Sequence, residues 1–239
     1  MGGRRKKGCK NSLFLLNGII HDVMRSKKMK SLVFQYFDYS QMFDSISLKE
    51  AISDIYDTGV DDDNLLLLYY SNQEINMAVK TAHGLTDRQT VTDIVLQGDK
   101  FGSLLASVQV DKIGQDCMEA GYHYLYKNIL PVGFLGMVDD IVGITEAGYQ
   151  ASQLNAFINV KTAEKTLQFG PAKCQYMVVG KNADTVTQNS LQVDQWISEY
   201  KENKISGEHD LIESYGGKID IKKTEVYKYL GFMISCISA

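Results

Sequence analysis

The chain has 239 residues, 44% of them hydrophobic and 23% charged, with 20 Gly and only 2 Pro. That composition fits one large or two modest globular units with a substantial core, and it excludes a disordered or low-complexity body. A formal net charge of −4 and an isoelectric point near 5.6 exclude a wholly basic nucleic-acid module but leave room for a basic patch on an acidic body.

The basic residues are uneven along the chain. Arg4-Arg5-Lys6-Lys7 with Lys10, then Lys27-Lys28 and Lys30, crowd into the first thirty positions. Such runs read either as solvated tails and localisation tracts or as phosphate contacts. Cys9, Cys117, Cys174 and Cys236 are scattered with no C-x-x-C pair, and the four histidines show no ligand spacing. Free thiols in a reducing compartment follow, and a zinc site does not. No apolar run approaches the roughly 18 residues of a membrane span, and the N-terminus lacks a signal-type apolar region. The expectation from these features is an intracellular protein, in cytoplasm or nucleus.

In chain order, residues 11–24 carry Leu13, Leu16, Ile20 and Val23 on one helical face, with Asn11 or Ser12 available as cap. The preceding cations and the positive end of this helix converge, which makes a natural phosphate site. Leu32 to Phe37 predicts a buried strand ending in Asp38. Leu48 to Tyr56 predicts a helix stopped by Gly59, and Asp61-Asp62-Asp63 read as cap and first turn of the helix over Leu65 to Tyr70. Asn76 to Thr81 and Thr90 to Leu96 predict two strands joined through His83 to Arg88. Gln97-Gly98-Asp99 opens a helix from Ser103 to about Met118, whose small face (Ser103, Ala106, Ser107, Val110) suits close packing on a sheet.

Gly136 to Ile144 then sets Asp139-Asp140 between two apolar runs, the pattern of a hairpin with both carboxylates at its tip. Asp is a common turn former, so a plain polar turn and a site are both open here. A helix from Ala151 to about Leu167, the stretch Gly170-Pro171-Ala172-Lys173, and a strand from Cys174 to Val179 follow. Residues 182–225 are polar and carry no clear periodicity, and Tyr227 to Ile234 closes the chain as a strand. From 32 to 180 the order strand, helix, hairpin, helix, strand is a split βαβ on one antiparallel sheet. It brings Asp38 and Asp139-Asp140 to the same end of adjacent strands.

These motifs, in this order and over nearly the whole chain, resemble the reverse transcriptase palm of non-LTR (LINE-type) retrotransposons. Asp38 with Phe43-Asp44, Leu96-Gln97-Gly98-Asp99, Met137-Val138-Asp139-Asp140, Gly170-Pro171-Ala172-Lys173 and Tyr229-Leu230-Gly231 each look like one family motif. Lys7-Gly8-Cys9 and the helix after it are similar to the fingers segment. The chain departs from the pattern at Leu96, where the family carries Arg, and at Lys100 to Ser103, where it carries Pro-Leu-Ser-Pro. It departs again at Met137 for an aromatic and at Gly170 for Asn.

The resemblance implies an α+β polymerase palm with helices on one face of its sheet, partial fingers and no thumb. Residues 1–31 would be a fingers segment, 32–180 the palm with inserted fingers elements at about 60–96, and 181–239 a polar insertion plus a primer-grip strand. It implies an RNA-directed DNA polymerase acting on an RNA template, a DNA primer and deoxynucleoside triphosphates, from a truncated element or part of a longer reading frame. Two Mg²⁺ ions, which Mn²⁺ could replace, would be held by Asp38, Asp139 and Asp140. Lys173 would neutralise or protonate the leaving pyrophosphate, with a plain surface lysine as the other reading. Phe43 would exclude a 2′-hydroxyl, whereas an RNA polymerase of viral type would carry a polar group there; ordinary core packing is the alternative. Gln97 and Gly98 would contact the nucleotide and template, and Tyr229, Leu230 and Gly231 the primer. Arg4, Arg5, Lys6 and Lys7 would hold nucleic-acid phosphates. Asp44 and Asp99 match family positions but read as structural hydrogen-bonders or caps. A relic that binds nucleic acid without turnover is the rival expectation.

Overall fold

A computed structural model describes residues 9–26, 31–93, 95–96, 101–146, 149–180, 190–191 and 221–235. The basic run Arg4 to Lys7, Gln97, Gly98, Asp99 and most of 182–225 lie outside the described residues. The chain opens with α1 (Cys9–Arg25), β1 (Ser31–Asp38), α2 (Met42–Ser45), α3 (Leu48–Tyr56) and α4 (Asp62–Asn72). Four short strands follow, β2 (Glu74–Met77), β3 (Lys80–Thr81), β4 (Gly84–Leu85) and β5 (Gln89–Thr92), then α5 (Gly102–Glu119). Next come β6 (Tyr124–Tyr126), β7 (Leu130–Val132), β8 (Phe134–Met137), β9 (Asp140–Glu146), α6 (Tyr149–Glu164) and β10 (Gln175–Gly180). The last described elements are β11 (Ser190–Leu191), β12 (Ile221–Lys223), β13 (Val226–Tyr229) and β14 (Phe232–Ser235).

The central sheet runs β11-β12-β10-β1-β9-β8, antiparallel throughout except for the parallel β10–β12 pair. Side chains of a strand alternate between faces, and β1 buries both of its faces. Val33 and Phe37 pack with Leu105, Ala106, Val110 and Ile113 of α5 and with Leu154 and Ile158 of α6. Leu32, Phe34 and Tyr36 pack on the other side with Leu13, Leu16, Ile19 and Val23 of α1. Each fully buried aliphatic or aromatic side chain of this kind stabilises by about 1.5–3 kcal/mol. Helices α3, α5 and α6 thus form one layer, as the palm expectation has it. The second face is covered by α1 and by the small β6–β7 and β13–β14 hairpins.

Two details fix the layer over β1. The fully buried Gln35 points into it and donates from Nε2 to the Ala151 carbonyl at 2.8 Å, tying the strand to α6. Gly143 of β9 lets α6 come close, since a Cβ there would meet Leu154 Cδ2 at 2.9 Å. Farther out, Lys165 bonds the buried Asp54 of α3 at 2.6 Å, joining α3 to the end of α6.

Several sequence expectations shift. Asn11 and Ser12 lie inside α1 instead of capping it, and Ser12 is buried. Ser103 is exposed, so the close-packed stripe of α5 is Ala106, Ser107, Val110 and Gly114. Asp61 caps α4 by accepting from the Asn64 N–H, as read. The closing segment is a hairpin instead of one strand: β13 and β14 pair Tyr229 with Phe232 across Leu230-Gly231. Both turn residues have positive φ (49° and 82°), the signature of a type I′ turn, which suits Gly231 and strains Leu230.

Candidate active site

Asp38 ends β1 and Asp140 begins β9, and the antiparallel register sets them directly opposite each other. Opposed residues in such a pair carry Cβ atoms about 5 Å apart. Asp139 occupies the two-residue turn between β8 and β9, exposed at the sheet end. Its turn partner Val138 has φ 58°, a conformation that β-branched residues rarely adopt. A positive φ at the first turn residue only is the II′ pattern, which favours glycine. The acidic tip is therefore strained, and the flanking buried strands hold it there.

The stretch from Phe169 to Cys174 is stitched to the end of β1. Tyr39 bridges Phe169, and the Gly170 N–H donates to the Asp38 carbonyl at 2.9 Å. The Cys174 thiol lies 3.8 Å from the same carbonyl oxygen. This loop carries Lys173 over the carboxylates, where its Nζ bonds Asp38 Oδ1 at 2.8 Å. The β13–β14 hairpin closes the other side. Its Leu230 N–H donates to the Asp140 carboxylate, and the Tyr227 hydroxyl donates to the Lys173 carbonyl at 3.3 Å. Tyr227 stacks on Tyr36 with centroids 4.1 Å apart.

The electrostatics follow from this crowding. Burial raises the Asp140 carboxyl above its ordinary value, Asp139 and Asp38 raise it further, and the Leu230 N–H and Lys173 partly oppose them. The Asp38 carboxylate holds the Lys173 ammonium charged above the usual lysine range. Burial pushes the Tyr227 hydroxyl up, and Asp38 and Asp140 add to it, so that hydroxyl stays a neutral donor. Cys174 is likewise pushed up to about 11, mainly by burial, and is no nucleophile.

The structure thus gathers Asp38, Asp139, Asp140, Lys173, Leu230 and Gly231 at one sheet end. Tyr229 belongs there only as a support: it is fully buried and its hydroxyl donates to the Leu135 carbonyl at 3.3 Å, so its ring is not a primer-contacting surface. Phe43 sits on α2, half-buried against the α3/α5 side of the core. Tyr227 was missed by sequence reading. Its signal was Gly231, four residues after it in an apolar run, which marks a turn and turns a strand into a hairpin.

Hard oxygen donors are what Mg²⁺ takes, and three carboxylates with one ammonium leave this end short of positive charge. The donor set therefore fits a divalent ion. Among the described residues, however, no three His, Cys, Asp or Glu side chains stand already gathered to hold one. The expected Asp38, Asp139 and Asp140 set shares a sheet end without forming a closed cage, and Lys173 occupies Asp38.

An antiparallel sheet under two long helices, with acids at the ends of its middle strands, defines a palm-type polymerase fold. Residues 4–234 match the family model for reverse transcriptase (RNA-dependent DNA polymerase), and the chain belongs to that family. Among solved structures it resembles apo telomerase from Candida tropicalis truncated from its C-terminal domain, with TM-score 0.56 and 14% identity over 95% of this chain and 38% of that one. It also resembles telomerase from Candida albicans in complex with a TWJ fragment of telomeric RNA, with TM-score 0.54 and 15% identity over 77% of this chain and 31% of that one. A comparison with curated proteins finds no match. The chain spans less than two fifths of either telomerase chain.

Proposed function

We propose that the chain is the fingers-and-palm part of an RNA-directed DNA polymerase of the non-LTR retroelement type, extending a DNA primer on an RNA template. The observation that carries this reading is the register pairing of Asp38 with Asp140, with Asp139 in the adjoining strained turn and Lys173 across from them. Family membership supports a polymerase in general, and the retroelement type rests on the resemblance of the sequence motifs.

In the reaction the primer 3′-hydroxyl forms a bond to the α-phosphorus of a deoxynucleoside triphosphate, and the bond to pyrophosphate breaks. Asp38, Asp139 and Asp140 would hold the divalent ions, which when bound would supply Lewis-acid stabilisation of the attacking oxygen and the leaving group. The Leu230 N–H orients Asp140, and Lys173 brings positive charge to the departing pyrophosphate. Phe43 selects against a 2′-hydroxyl, Gln97 and Gly98 meet the nucleotide and template, and Leu230-Gly231 seat the primer end. Arg4, Arg5, Lys6 and Lys7 hold backbone phosphates.

Primer extension on a heteropolymeric RNA template with Mg²⁺ tests the reading. Wild type should extend with deoxynucleotides, and Asp139→Ala should fall to background. If the two are alike at background, the enzyme reading is lost for this chain.

A further inference from the structure

Resting on the metal-dependent reading above, we infer that Lys173 is the resting counter-ion of Asp38, so that a divalent ion must displace its ammonium before it can use that carboxylate. Four contacts fix the loop around Lys173 while leaving its stem loose. The Lys173 N–H donates to the Gly170 carbonyl at 2.9 Å, and its own carbonyl accepts from the Tyr227 hydroxyl at 3.3 Å. Gly170 N–H and the Cys174 thiol hold the Asp38 carbonyl. The Lys173 side chain is 68% exposed, whereas Asp38 is 23% exposed. A pinned backbone with an unpacked four-carbon stem lets the ammonium change partner without moving the fold.

Two consequences follow. A divalent ion competes with the ammonium for Asp38, and the displaced ammonium is released beside the acids, where it can meet an arriving triphosphate. Leaving-group assistance by Lys173 is then available only after the carboxylate has exchanged one cation for another.

The competition is read without turnover, by Mn²⁺ titration of the full chain followed by electron paramagnetic resonance of free Mn²⁺ at low ionic strength. An exposed pair is worth up to about a factor of five in an equilibrium, and removing a cation near the ion adds to this. Lys173→Met should therefore bind Mn²⁺ about three- to tenfold more tightly than wild type. Lys173→Gln should behave like it, and Lys173→Arg, which keeps charge and pairing, should stay within about twofold of wild type. Asp38→Asn should weaken binding and abolish the gain from Lys173→Met in the double variant. Circular dichroism confirms that each variant is folded, and the exposure of Lys173 predicts that they are. Wild type that binds Mn²⁺ with both neutralising variants no tighter would overturn this inference and leave the metal site standing. Absence of Mn²⁺ binding in wild type and neutralising variants alike would overturn the metal site and the inference together.

Discussion

Asp140→Asn should stabilise the metal-free protein at neutral pH while disabling its proposed chemistry. The substitution keeps shape and an oxygen acceptor for the Leu230 N–H, and removes one negative charge from a group of three carboxylates and one ammonium. Asp140 lies opposite Asp38 and beside Asp139. Two like charges about 6 Å apart repel by about 3 kcal/mol at an effective dielectric of about 20. Partial exposure, salt and the offset from Lys173 reduce the net gain to about 1 kcal/mol. For a chain of this length that is about 2–4 °C in Tm. The sign is set by the raised Asp140 carboxyl: its protonated form is favoured in the folded state, so its stabilising contribution is present below the unfolded value and lost as pH rises through the folded one. Wild type loses it as its carboxyl ionises with rising pH, and Asp140→Asn never carries the charge. Thermal melts from pH 4 to 8 without metal should show the variant above wild type at pH 7 and the gap closing on acidification. Added Mg²⁺ should raise the melting temperature of wild type more than that of the variant. A variant that melts below wild type at pH 7 without metal would refute the crowding argument.

Three other changes test separate parts of the account. Val138→Gly removes a positive-φ β-branched residue, relieving about 1–2 kcal/mol of strain against about 0.5–1 kcal/mol of added chain entropy, so its guanidinium midpoint should rise slightly. A lower midpoint would mean the turn is relaxed. Lys165→Met leaves the 4%-exposed Asp54 unpaired and should cost about 3 kcal/mol at neutral pH. Burial already raises Asp54, so chemical denaturation should show that deficit narrowing as pH falls and the carboxylate takes a proton; a pH-independent deficit would contradict it. Phe43→Ala should raise ribonucleotide incorporation at least about tenfold in primer extension, and unchanged selectivity would return Phe43 to core packing alone.

Strong local signals carried much of the fold into the sequence. The Leu48–Tyr56 helix is bounded by an accepting Ser47 and by Gly59 at φ 84°, residues whose chemistry marks ends. The apolar run before Asp38 and the two runs flanking Asp139-Asp140 are buried strands, and their shared sheet end was legible from the order of elements. Legibility failed where geometry is set by tertiary contact. Strands β6 and β7 have three residues each, too few for a period to show. The β13–β14 turn places Leu230 at φ 49°, a conformation no local preference of leucine announces. Tyr229 looked like a surface contact within its motif, yet it is buried, while Tyr227, two positions earlier, reaches the site from the same strand. The partner of Lys173 was likewise invisible, because it depends on a loop stitched to Asp38 from 132 positions away or more.

The central claim is that Asp38, Asp139 and Asp140 hold divalent metal. Anomalous scattering from crystals soaked in Mn²⁺ with a primer–template and a non-hydrolysable deoxynucleotide tests it most directly. The account predicts a Mn²⁺ peak ligated by Asp38 together with Asp139 or Asp140, with Lys173 turned away from Asp38. Crystals with bound nucleotide but no Mn²⁺ at these carboxylates, and Lys173 still on Asp38, would contradict it.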